Sequence, residues 1–96
     1  MFAVIAYDVS TTSAEGRRRL RRVAQACEDY GVRVQKSVFE CLLREADWVR
    51  LRHRLLREID IEEDSLRVYF LDEDLKARIQ HFGIKRPIDL EGPLIV

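Results

Sequence analysis

Cysteine, proline and glycine are scarce in this chain: two, two and four in 96 residues. Cys27 and Cys41 have no CxxC pair and no histidine cluster beside them. They read as two reduced, packed thiols rather than a disulfide framework. No apolar run approaches the roughly 20 residues needed to span a bilayer. Phe2–Ala6 is too short for a signal peptide and lacks its basic start and small-residue cleavage site. A cytoplasmic protein with no membrane partner is therefore expected. Internal repeats and low-complexity segments are absent as well. So is net charge, formally +0 at pH 7, which on its own argues against a nucleic-acid binder.

The distribution of charge says more than the sum. Arg17, Arg18, Arg19, Arg21, Arg22, Arg33 and Lys36 lie in the first 40 residues, against few acids. Glu58, Asp60, Glu62, Glu63, Asp64, Asp72, Glu73 and Asp74 come later. The chain is bipolar, and a basic face can still bind phosphate. Its 47% hydrophobic content is ordinary for a compact protein. Ninety-six residues allow a single domain and no second core; residues 1–83 read as the core and 84–96 as a tail.

Met1-Phe2-Ala3-Val4-Ile5-Ala6-Tyr7-Asp8-Val9-Ser10 opens the chain with an apolar, β-branched run that carries one carboxylate near its end. The run reads as a strand buried on both faces. A charge is costly there unless paired, so Asp8 is a cap, a salt-bridge partner or a metal ligand. Thr12-Ser13-Ala14-Glu15 has capping-box spacing and starts a helix. Leu20, Val23, Ala24 and Cys27 give that helix one buried stripe. It should stop near Tyr30, with Gly31 as a left-handed C-terminal residue.

Residues 33–43 are β-rich and read as two short strands broken by a turn or bulge near Gln35–Ser37. Trp48, Leu51, Leu55, Leu56 and Ile59 predict a second amphipathic helix. Asp60–Asp64 is then a solvated acidic loop, and Ser65–Leu71 the last core strand. In the tail, Leu75, Ile79 and Phe82 space out a short helix ending at Gly83. Pro87 and Gly92-Pro93 bracket turns before Leu94, Ile95 and Val96, an apolar tripeptide expected to add an edge strand or bind a partner by strand addition.

The order strand, helix, strand, strand, helix, strand is the α+β, ferredoxin-like βαββαβ arrangement. It implies a four-stranded antiparallel sheet with both helices on one face, plus the extra C-terminal strand. The open face needs cover, and a second copy supplies it, so a twofold dimer is expected.

Ala6-Tyr7-Asp8-Val9 closing the first strand, the arginine-rich first helix, and Gly31-x-Arg33-Val34-Gln35-x-Ser37-Val38-Phe39-Glu40 resemble the small CRISPR-associated adaptation endonuclease family. Arg67-Val68-Tyr69-Phe70-Leu71 fits it too, so the likeness covers nearly the whole chain. The Arg-Val-Gln-x-Ser-Val-Phe string is its specific part. The resemblance implies a homodimer that acquires new spacers beside the CRISPR integrase subunit. Members are described as metal-dependent nucleases of RNA or double-stranded DNA, although in some the carboxylate is dispensable for spacer acquisition. The family's catalytic aspartate falls on Asp8, its first-helix arginines on Arg19 and Arg21, its post-helix arginine on Arg33 and its aromatic on Phe39. The loop Val9-Ser10-Thr11-Thr12 is less acidic than in some relatives.

With the resemblance, Asp8 is the expected catalytic carboxylate and ligand of magnesium or manganese. One Asp cannot build such a site, but two copies facing across a twofold axis could hold one ion. Arg17, Arg18, Arg19, Arg21 and Arg22 form a guanidinium-only run suited to clamping phosphates without reading bases. A run of this kind is more often a solvated face, with Glu28 and Asp29 as available partners. Arg33 and Phe39 join the nucleic-acid set through the resemblance alone. Tyr7 and Trp48 read as core or interface aromatics, and His53 and His81 as surface residues. Ser37 has no histidine to activate it. The competing readings are a non-catalytic DNA-binding scaffold for the integrase, a toxin-type ribonuclease of similar fold, and a small-molecule regulator that would leave the arginine run unexplained.

Overall fold

In the computed structural model, residues 1–72, 74 and 78–84 are described. Strand β1 (Phe2–Asp8) leads into helix α1 (Ala14–Glu28), the β2–β3 hairpin (Val32–Gln35 and Val38–Leu42), helix α2 (Glu45–Glu58) and strand β4 (Ser65–Leu71). The sheet order is β2-β3-β1-β4, and each neighbouring pair is antiparallel. This is the ferredoxin-like βαββαβ arrangement expected from the order of elements. Leu94–Val96 and the turns at Pro87 and Gly92-Pro93 lie outside the described residues, as does Leu75 of the expected tail helix; Ile79–Gly83 carries no helix. Among the described residues, no helix is long and apolar enough to cross a membrane.

Alternation along β1 decides the layering. Ala3, Ile5 and Tyr7 point one way, where they meet Phe39 and Cys41 of β3, Val23, Ala26 and Cys27 of α1, and Leu51 and Leu55 of α2. Both helices therefore sit on one face of the sheet. Phe2, Val4, Ala6 and Asp8 point the other way: Phe2 is buried, Val4 and Ala6 are half-buried and Asp8 is exposed. Past Phe2 the first strand is thus covered on one face rather than two, which removes the desolvation cost expected for Asp8.

Local details correct the finer expectations. The N-cap of α1 is Ser13, not Thr12: its side chain accepts from the Gly16 amide at 3.0 Å. The helix ends at Glu28, and Gly31 has no left-handed backbone; among the described residues only Gly83 does, with φ 97°. Gly31 is required by space. A Cβ there would overlap the Cys41 sulfur and lie 2.6 Å from the Glu40 carbonyl oxygen. The hairpin turn falls where expected, between Gln35 and Val38, and a register shift precedes it between Arg33 and Gln35. On α2, Leu51 and Leu55 are buried but Leu56 is exposed. Both cysteines are free and buried, and burial raises their thiol pKa values to about 12 at Cys27 and about 11 at Cys41.

Candidate functional site

Asp8 stands at the last position of β1, paired in register with Ser65 at the first position of β4. Its side chain faces solvent. Among the described residues no hydrogen bond or ion pair reaches it. Two of the three roles open to it are thereby taken away: the α1 cap is Ser13, and the α1 arginines pair elsewhere or not at all. What remains is a solvent-facing carboxylate at a strand end, one short loop from the start of α1. Among the described residues no three His, Cys, Asp or Glu side chains converge into a metal-holding group within one chain.

The arginine run divides by helical position. Arg18 and Arg21 are exposed and have no acid partner among the described residues, while Arg17 reaches the Thr11 carbonyl oxygen at 3.2 Å. Arg22 leans toward Glu58 of α2 at 3.7 Å but keeps 60% of its side chain in solvent. Arg19 is different. Its Nε donates to Asp64 at 2.8 Å and its Nη2 to both Asp64 and Glu63 at 3.3 Å, and only 15% of its side chain is exposed. The guanidinium fork is occupied by carboxylates, which removes Arg19 from the phosphate-facing set. Glu28 and Asp29, expected as partners of the run, instead hold Arg33 and Arg54.

Asp64 corrects the picture of a uniformly solvated acidic loop, because its side chain is fully buried. Burial pushes its pKa up, but the Arg19 hydrogen bond and the Asp60 and Ser10 amides outweigh that, so it lies below the usual carboxylate range. A depressed folded-state pKa stabilises the fold fully above the unfolded value of about 3.9, and the contribution is lost as pH falls through the folded value. Asp64→Asn is therefore expected to make the loss of melting temperature between about pH 5 and pH 2 shallower. Equal slopes in thermal melts of the two proteins would contradict this.

Phe39 corrects a second expectation. It has no exposed surface, its ring stacks 6.1 Å from Tyr7 at 23°, and the Arg33 guanidinium lies 5.1 Å over it. No base can reach it. Arg33 is itself 81% covered, bound to Glu28 at 3.4 Å, with a buried Nε that finds no acceptor among the described residues. Tyr7 lies in the core, its hydroxyl 3.5 Å from the Lys36 carbonyl oxygen, and burial raises its pKa to about 12. His53 and His81 are exposed, as expected. Arg52 and Arg57 of α2, outside the expected set, are also exposed and have no acid partner among the described residues. The signal was present in the arginine-rich spacing of that helix, on the same side of the sheet as α1.

The fold and site define a small ferredoxin-like domain with exposed arginines along its helix layer and an exposed carboxylate where its first strand ends. The chain belongs to the CRISPR-associated protein Cas2 family, whose model matches residues 1–79. It is 53% identical over 96 residues to the CRISPR-associated endoribonuclease Cas2 of Chlorobaculum tepidum, covering all of both chains. With the CRISPR-associated endonuclease Cas2 of Halalkalibacterium halodurans it shares 50% over 95 residues, 99% of each chain. The crystal structure of Streptococcus pyogenes Cas2 at pH 6.5 is similar to it with a TM-score of 0.79 and 46% identity, over 86% of this chain and all of that one.

Proposed function

We propose that this chain is a CRISPR adaptation nuclease that hydrolyses phosphodiester bonds of RNA or double-stranded DNA as a twofold homodimer, acting beside the integrase subunit. The relatives' names, endoribonuclease and endonuclease, support the reaction class. The observation that carries the site is Asp8: exposed, without a hydrogen bond or ion pair among the described residues, and one short loop before the arginine-bearing helix. One carboxylate does not fill the near-octahedral shell of magnesium or manganese. Two copies of Asp8 across a twofold axis would fit that requirement, each supplying one carboxylate. A divalent ion held there contributes a Lewis acid for a phosphate oxygen and a bound water of lowered pKa.

The chain's own residues do the rest. Arg18 and Arg21, with Arg17 and Arg22 on either side, would hold phosphates with their exposed guanidinium forks. On the sheet face away from the helices, half-buried Val4 and Ala6 and exposed Leu42 and Tyr69 lie beside Glu40 and Arg67, a mixed face that a second copy would cover. A cytoplasmic location belongs to the same proposal, in keeping with two unbridged thiols.

Chelation tests the reading. The purified chain is expected to cleave labelled RNA or duplex DNA with magnesium or manganese present and to stop when EDTA is added. Undiminished cleavage in EDTA would refute the metal-dependent reading.

A further inference from the structure

Asp64 lies 56 residues from Asp8 in sequence and next to it in the fold. Its successor, Ser65, pairs with Asp8. Its carboxylate takes the Ser10 amide on Oδ1 at 3.0 Å and the Asp60 amide on Oδ2 at 2.9 Å. Arg19 of α1 closes the group by donating to both oxygens, at 2.8 and 3.3 Å. One buried carboxylate thus ties together the exit of β1, the loop entering β4 and the first turns of α1. The loop is prepared for this: Asp60 accepts the Asp64 amide at 2.7 Å and the Glu63 amide at 3.1 Å on its carbonyl, and the Glu62 amide at 2.9 Å on its side chain.

Ser10 is also held from its other side. A Cβ on Gly16 would overlap the Ser10 carbonyl oxygen, so the first turn of α1 rests directly on that peptide. The two peptides that flank Ser10 are fixed between a buried anion and a helix backbone, while among the described residues no hydrogen bond or ion pair reaches the Asp8 side chain. That combination, a free side chain on a rigidly held backbone, is what a preorganised ligand or base requires.

We propose that Asp64 is a positioning residue for the Asp8 site, fixing the direction in which the end of β1 presents the Asp8 carboxylate by gripping the Ser10 amide against Arg19. The proposal rests on Asp8 being the centre of phosphodiester cleavage. Asparagine at position 64 keeps an acceptor for Ser10 but gives up the charge that holds Arg19. Alanine at position 16 favours the helix and displaces Ser10 without altering any charge.

The test measures kcat and KM for cleavage of one labelled substrate at saturating manganese, using the full chain as wild type, Asp64→Asn, Gly16→Ala and Asp8→Ala. Circular dichroism confirms folding, and amide hydrogen exchange is followed at Ser10. Asp64→Asn and Gly16→Ala are expected to lower kcat by about tenfold or more, with KM within about twofold. The Ser10 amide should be protected in wild type and exchange at least about threefold faster in Asp64→Asn, whose neutral oxygen still accepts it but no longer holds Arg19. A folded Asp64→Asn or Gly16→Ala with wild-type kcat would overturn the proposal. A loss confined to KM would do so too, as would an unprotected Ser10 amide in the wild-type protein. Should Asp64→Asn fail to fold, Gly16→Ala and the wild-type exchange rate decide. Full cleavage by Asp8→Ala removes the site itself, whereas an inactive Asp8→Ala beside an unimpaired Asp64→Asn removes only the role given to Asp64.

Discussion

Asp8→Ala is expected to lower kcat for phosphodiester cleavage by at least about a hundredfold while leaving thermal stability unchanged. The two halves of that result have separate causes. Loss of a metal-holding carboxylate removes several kcal/mol of transition-state stabilisation, and each factor of ten in rate corresponds to about 1.4 kcal/mol. The fold has no stake in the side chain, which is exposed and makes no hydrogen bond or ion pair among the described residues. Surface substitutions of that kind usually fall within about 0.5 kcal/mol. Steady-state cleavage and a thermal melt on the same preparation check both halves. A variant that still cuts at the wild-type rate would show that the chemistry lies elsewhere, and one that melts much earlier would show that Asp8 is structural.

Phe39→Ala is expected to do the reverse. Phe39 is fully buried between Tyr7 and Arg33 and belongs to the same cluster as Ile5, Val23 and Leu55. Truncating such a ring costs about 3–5 kcal/mol, through lost transfer energy and the cavity left behind. In a domain of this size that corresponds to a melting temperature lower by roughly 12 °C or more. The Arg33 guanidinium would also lose the π face beneath it while its Nε still lacks an acceptor among the described residues. Denaturant unfolding measures the change directly. A loss below about 0.5 kcal/mol, with nucleic-acid binding impaired, would instead make Phe39 an exposed stacking residue.

These two residues show what could be read from the chain and what could not. The strand order, the hairpin break and the bounds of β4 follow from local patterns: a run of β-branched residues, a helical stripe, a turn at Lys36-Ser37. The position of Asp8 at a strand end follows too. Its exposure does not, because a seven-residue apolar strand looks the same whether one face or both are covered. Phe39 lies in a string that matches the family, but only the register opposite Ile5, on the helix side of the sheet, shows that it points inward. Arg19 was one of five similar arginines until the fold set it against Asp64, 45 residues away. Contacts at that separation leave no local signature. Gly31 is a case of the same kind, a glycine demanded by a neighbouring strand and not by its own backbone angle.

The most direct test of a strand-end carboxylate completed by a second copy is a calorimetric titration of the purified protein with manganese, alongside its oligomeric state by sedimentation. The account predicts a dimer that binds one ion per two chains, with binding lost in Asp8→Ala and the dimer retained. One ion per chain, or unchanged binding by Asp8→Ala, would contradict it.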